Sequence, residues 1–128
     1  LDFSSTNAAM PIVGGTYINL QWKGSYGVTV TASTALGGYT PRGQARIYDT
    51  SIPVDLNQGN IDLGSPNVNC GGLGVGFDGQ PGQPGENCVP INNALIIQEA
   101  DTPFSKANSK GGNITFAFDT PVLISDIG

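Results

Sequence analysis

Three stretches of this chain carry an apolar, strand-like run straight into a carboxylate: Ala45-Arg46-Ile47-Tyr48-Asp49, Leu95-Ile96-Ile97-Gln98-Glu99 and Ile114-Thr115-Phe116-Ala117-Phe118-Asp119. Acids gathered at strand ends can transfer protons or hold a hard cation. The sequence contains no histidine, the side chain that most often shuttles protons near neutral pH. Cation binding and turn formation are therefore favoured over acid/base chemistry. Calcium is held by carboxylates, amide oxygens and backbone carbonyls, which loops rich in Asp and Asn supply. Asp49, Asp62, Glu99 and Asp101 are the candidate ligands. The same residue types also make turns by bonding their own backbone, and no EF-hand or repeated Asp-x-Asp-x-Asp spacing accompanies them.

Catalysis finds little to work with. Ser-His-Asp and Cys-His machinery is excluded by the missing histidine. A glycosidase needs two carboxylates facing each other across a cleft, and spacing singles out no pair among the ten acids. No catalytic residue is assigned. Tyr17, Tyr26, Tyr39 and Tyr48 could stack on sugar rings, although tyrosines at strand edges pack equally often.

The elements that must position these residues are strands. Apolar residues alternate with polar ones over 17–22 (Ile18, Leu20, Trp22) and 27–33 (Val28, Val30, Ala32), and no window carries a competing helical stripe. Further strands are expected at 45–49, at 94–98 and around Ile114, Phe116 and Phe118. The strand at 94–98 is apolar on both faces and reads as central. Turn signals separate the runs: Gly-Gly pairs, Lys23-Gly24 and X-Pro pairs. Short strands separated in this way predict an all-β fold, a sandwich or jelly roll.

Composition sets the bounds. At 128 residues the chain is read as one domain, 1–128, able to bury roughly two-thirds of the surface its unfolded form exposes. Ten acids against five bases leave a net charge of −5, which argues against a nucleic-acid partner or an anionic membrane surface. No apolar run approaches the ~20 residues of a membrane-spanning helix. Only 12% of residues are charged, a balance that suits a secreted β protein. Cys70 and Cys88 flank a Gly- and Pro-rich stretch, and a disulfide between them would stabilise by about 3 kcal/mol and imply an oxidising, extracellular or cell-surface setting. The chain opens at Leu1 and its last strand-like run, 122–128, stops abruptly, as in a segment of a longer or processed protein.

Between the strands, residues 53–93 hold little alternation and much Gly, Asn and Pro, the composition of a long surface loop tied down locally. Within it Gly76, Gly79, Gly82 and Gly85 recur at every third position, with Pro81 and Pro84 in the third slot of their triplets. The register is collagen-like but too short for a triple helix, so an exposed polyproline-II segment is expected, its two prolines open to hydroxylation. Asn113-Ile114-Thr115 is a glycosylation sequon on the polar face of its strand.

Four ordered runs resemble a known extracellular module. They are residues 47–53, Asp62-Leu63-Gly64-Ser65-Pro66-Asn67, residues 93–99 and residues 111–122, and the opening Leu1-Asp2-Phe3 and Tyr26-Gly27-Val28-Thr29-Val30 are similar to its first strands. The module recurs in secreted and surface proteins of bacteria and microalgae. The resemblance implies a jelly-roll β-sandwich, like carbohydrate-binding modules, without established enzymatic activity. The chain departs from the pattern after Glu99, where an acidic run is diluted by residues 102–108, and at residues 125–128, beyond which the module continues into one more strand. A sandwich short of one strand invites strand addition from a neighbour, and head-to-tail addition makes fibres. The expected role is a structural or adhesive unit, self-associating into a homo-oligomer or filament. The alternative is a glycan-binding module with a structural calcium ion.

Overall fold

The computed structural model describes residues 11–35, 44–52 and 61–124. Two antiparallel sheets share one core. The first has three strands in the order β1 (Tyr17–Ile18), β3 (Ala45–Asp49), β4 (Asn93–Ile97), and the second pairs β2 (Val28–Thr34) with β5 (Gly112–Phe118). One turn of helix, α1 (Lys23–Tyr26), lies between β1 and β2, and 3-10 turns occupy Ile61–Leu63 and Val68–Cys70.

Register follows the alternation of side chains. Val28 faces Phe118, Val30 faces Phe116 and Ala32 faces Ile114 on the inner side of the β2–β5 ribbon, while Thr31 opposite Thr115 and Ser33 opposite Asn113 lie on the other. Slipping this pairing by one residue would turn every apolar side chain toward water, so the pattern itself specifies the register. In the other sheet Ile18, Ala45 and Ile97 share one face, as do Ile47 and Leu95. The core cluster is Ile12, Ile18, Trp22, Val28, Val30, Ala32, Ala45 and Ile47, with Leu95, Ile114 and Phe118 packed against it. Asn19 ties the two sheets together, its carbonyl accepting from Val30 N and its amide donating to Val30 O, both at 2.9 Å.

Two strand expectations are corrected. The run 17–22 stays extended only through Ile18, because the Gln21 side chain takes over the local backbone partners: it donates to Tyr17 O at 2.8 Å and accepts from Asn19 N at 2.6 Å. The chain then turns into α1, which buries Ile18 and Trp22, four residues apart, and leaves Leu20 exposed. The helix stops at Gly27, whose φ of 59° suits a residue without a side chain and lets its N–H close onto Lys23 O. The central strand among the described residues is β3 rather than β4. β3 is the strand buried along nearly its whole length.

Residues 61–92 are held by hydrogen bonds rather than by an apolar core. Asn67 is buried; its side-chain oxygen caps the turn Val68–Cys70 through Asn69 N, and its amide donates to Gly76 O. The Ser65 hydroxyl lies within hydrogen-bond distance of Asn87 Oδ1 and Val89 O, and the Asn87 amide donates to Gly64 O. Thr50 connects this unit to the end of β3, bonding to Asn92 O and accepting from Ser65 N. The Cys70–Cys88 disulfide expected from sequence is present.

The triplet segment is not polyproline II, which has no internal hydrogen bonds. Gln80 N bonds to Phe77 O, Gln83 N to Gln80 O and Glu86 N to Gln83 O. Three successive four-residue turns are thereby closed. Pro81 and Pro84 stand at the second of the four turn positions, where a fixed φ near −65° is already correct, and glycine follows at the third. At Gly82 the φ of 78° makes that turn type II. Replacing both cysteines with serine is expected to lower stability by about 3 kcal/mol, on the entropy of a loop with sequence separation 18. Chemical denaturation of the oxidised protein and the double variant measures it, and equal midpoints would remove the bridge from the stability of the fold.

Candidate functional site

The carboxylates singled out by sequence are dispersed. Asp49 Oδ1 accepts from Ser51 N at 2.9 Å and from Ser51 Oγ at 2.6 Å, an Asx turn that ends β3. Glu99 pairs with Lys106, Asp119 pairs with Lys23, and Asp101 accepts from the Tyr17 hydroxyl at 3.4 Å. Asp62 lies exposed in its 3-10 turn. Among the described residues no three acids or cysteines gather closely enough to hold a metal ion. The partners that Asp49, Glu99, Asp101 and Asp119 do have join loops to loops, to a strand and, for Asp119, to α1.

The described tyrosines, Tyr17, Tyr26 and Tyr48, differ in their surroundings. Tyr48 is 0% exposed, which corrects its reading as a stacking residue. It points from β3 to the face away from the shared core, and that face is also covered. Tyr17 lies half-buried beneath the Arg46 guanidinium, 4.7 Å from ring centroid to Cζ. Tyr26 is exposed, and Tyr39 lies outside the described residues, as do the run from Leu1 and residues 125–128.

What covers β3 is a strap, residues 99–106, organised by two buried polar side chains that the sequence reading did not single out. Arg46, 5% exposed, donates from Nε to Gly15 O, from Nη1 to Thr102 O and Phe104 O, and from Nη2 to Pro103 O, all at 2.8–2.9 Å. Gln98 Nε2 lies within hydrogen-bond distance of Ala100 O, Thr102 Oγ1 and Phe104 O, and its Oε1 accepts from Lys106 N. Ser105, buried, donates to Ile47 O at 2.7 Å. The ends of the strap are joined by Glu99 N to Lys106 O and by the Glu99–Lys106 ion pair. A signal for Arg46 was present: a charged residue inside a strand whose neighbours on both sides are apolar must find partners once both faces are covered. Between the strap and the Val13–Gly15 turn runs a shallow open groove of about 370 Å³, lined by Val13, Ile52, Pro103 and Phe104 with Asp49 beside them.

A second apolar surface lies at the edge of the β2–β5 ribbon. Among the described residues β5 pairs with β2 alone, and Phe116 on its inner face is still 38% exposed. The chain leaving β5 runs through Val122, Leu123 and Ile124, all exposed and Leu123 95% so. Asn113, the sequon residue, is exposed on the same strand opposite Ser33.

Compared with protein-family models, with curated proteins and with solved structures, the chain finds no match. The architecture defines its class as an all-β protein of antiparallel sheets with one short helix and a disulfide-tied loop.

Proposed function

We propose that the chain is a non-catalytic extracellular β-sandwich of jelly-roll type that serves as a structural or adhesive unit. Copies are joined by strand addition into a filament or matrix. The observation that carries this reading is the exposed Val122-Leu123-Ile124 run that follows β5, a strand paired on one side only among the described residues and with its own apolar face only partly covered. Apolar β-branched and Leu residues left in water and a strand edge with no partner among the described residues are complementary: each satisfies what the other lacks. A donor and an acceptor on different parts of one molecule make a head-to-tail contact, which propagates. The disulfide fits an oxidising compartment. The exposed Asn113 fits a surface that carries glycan away from the core.

Leu123→Asp is expected to raise the concentration needed for assembly about tenfold or more, since burying a leucine contributes roughly 1.5–3 kcal/mol. Sedimentation and electron microscopy of wild type and variant measure it, with circular dichroism confirming that the fold is unchanged. A wild-type chain that stays monomeric at high concentration would end the strand-addition reading.

A further inference from the structure

We propose that Pro81 and Pro84 form a paired modification site, the substrate of a prolyl hydroxylase that uses ferrous iron, dioxygen and α-ketoglutarate and recognises X-Pro-Gly. The chain has nine prolines, and only these two are followed by glycine, in the repeated unit Gly79-Gln80-Pro81 and Gly82-Gln83-Pro84. They fill the third slot of a Gly-X-Y triplet, the position at which collagen carries hydroxyproline.

The fold presents them rather than hiding them. Both are exposed. Each stands at a corner of a turn closed by its own hydrogen bond, Gln83 N to Gln80 O around Pro81 and Glu86 N to Gln83 O around Pro84. A corner ring projects outward, so its Cγ–H is reachable without opening the chain. The turns are held in place by the Cys70–Cys88 bridge, by Asn87 N to Gly79 O at 3.0 Å and by the Glu86 carboxylate accepting from Gly82 N at 2.7 Å. None of these bonds uses a proline ring atom, so an added hydroxyl displaces nothing.

The reaction closes. One oxygen atom of dioxygen enters the proline Cγ–H bond as a hydroxyl, and the other enters α-ketoglutarate, which leaves as succinate and carbon dioxide. The ferrous iron is regenerated.

The oxidised, folded protein is incubated with a collagen-type prolyl hydroxylase, ferrous iron, ascorbate, α-ketoglutarate and air, then mapped by tandem mass spectrometry. One added oxygen is expected at Pro81 and one at Pro84, with none at the remaining prolines. Pro81→Ala and Pro84→Ala should each retain the addition at the other ring. Protein purified from its native source should carry the same two oxygens. Oxygen added only after the disulfide is reduced, oxygen spread over other prolines, or bare Pro81 and Pro84 in the native material would each overturn the assignment.

Discussion

Arg46→Ala should lower the stability of the fold by roughly 3–5 kcal/mol, on the order of a 10–20 °C fall in melting temperature for a chain of this size. The reason lies in what the guanidinium meets. Its donors reach four backbone carbonyls, those of Gly15, Thr102, Pro103 and Phe104, and, among the described residues, no carboxylate. A charge held this way keeps its hydration only in substituted form, with protein dipoles standing where water stood. Alanine removes the donors and leaves the carbonyls aimed at an empty volume. Phe104 O still has Gln98 and Thr102 as donors, so the loss falls mainly on Gly15, Thr102 and Pro103. Lysine retains the charge but cannot fork to Gly15 on one side and the strap on the other, so Arg46→Lys is expected to recover less than half of the loss. Denaturation followed by the fluorescence of the single tryptophan, Trp22, reads the difference, and hydrogen exchange should show residues 100–105 losing protection first. A cost under ~1 kcal/mol for the alanine variant would mean that water replaces the guanidinium without difficulty.

Trp22→Ala is expected to cost a comparable ~3–5 kcal/mol by a different physical route, lost transfer energy plus a cavity. Trp22 is the largest fully buried side chain and packs within the cluster that contains Ile18 and the inner residues of β2. Its burial does not depend on a long strand, because the turn made by Gln21 swings it inward. Trp22→Phe should retain most of the apolar contact and lose about 1–2 kcal/mol. Far-ultraviolet circular dichroism follows both variants, since the fluorescent probe itself is removed. If the alanine variant unfolded at the wild-type denaturant midpoint, the shared core between the sheets would have to lie elsewhere. The two variants separate the faces of β3: Trp22 tests the apolar side and Arg46 the polar one.

Strands whose neighbours differ only in burial were legible in the sequence. Val28, Val30 and Ala32 alternate with Thr and Ser because one face meets the core and the other meets water, and period two records that difference directly. The cysteines were legible because nothing else in a Gly- and Pro-rich stretch could hold its shape. The misread parts share a cause: side chains that replace backbone partners leave no periodic trace. Gln21 ends β1 by bonding to Tyr17 and Asn19, yet in the sequence it is one polar residue among alternating ones. Arg46 and Gln98 build the strap from residues up to 58 positions distant, and local pattern holds no record of such reach. For Tyr48 the sequence leaves stacking and packing equally open, because the burial of its face by a distant segment leaves no local pattern. The triplets were ambiguous for another reason. Proline followed by glycine suits both an extended helix and a turn, and only the hydrogen bonds to residues three positions back decide between them.

The bridge between Cys70 and Cys88 has a mechanical consequence. Its two Cα atoms lie 5.2 Å apart, whereas the chain between them would stretch to ~60 Å if pulled straight. Tension applied along the backbone crosses at the sulfur atoms, and the turns in between bear no load. A chain placed under such tension would lengthen by unzipping β2 from β5 or β3 from β4, while the triplet turns stay slack and retain their shape. The loop is thereby a passenger that keeps its surface chemistry intact while the sheets around it yield.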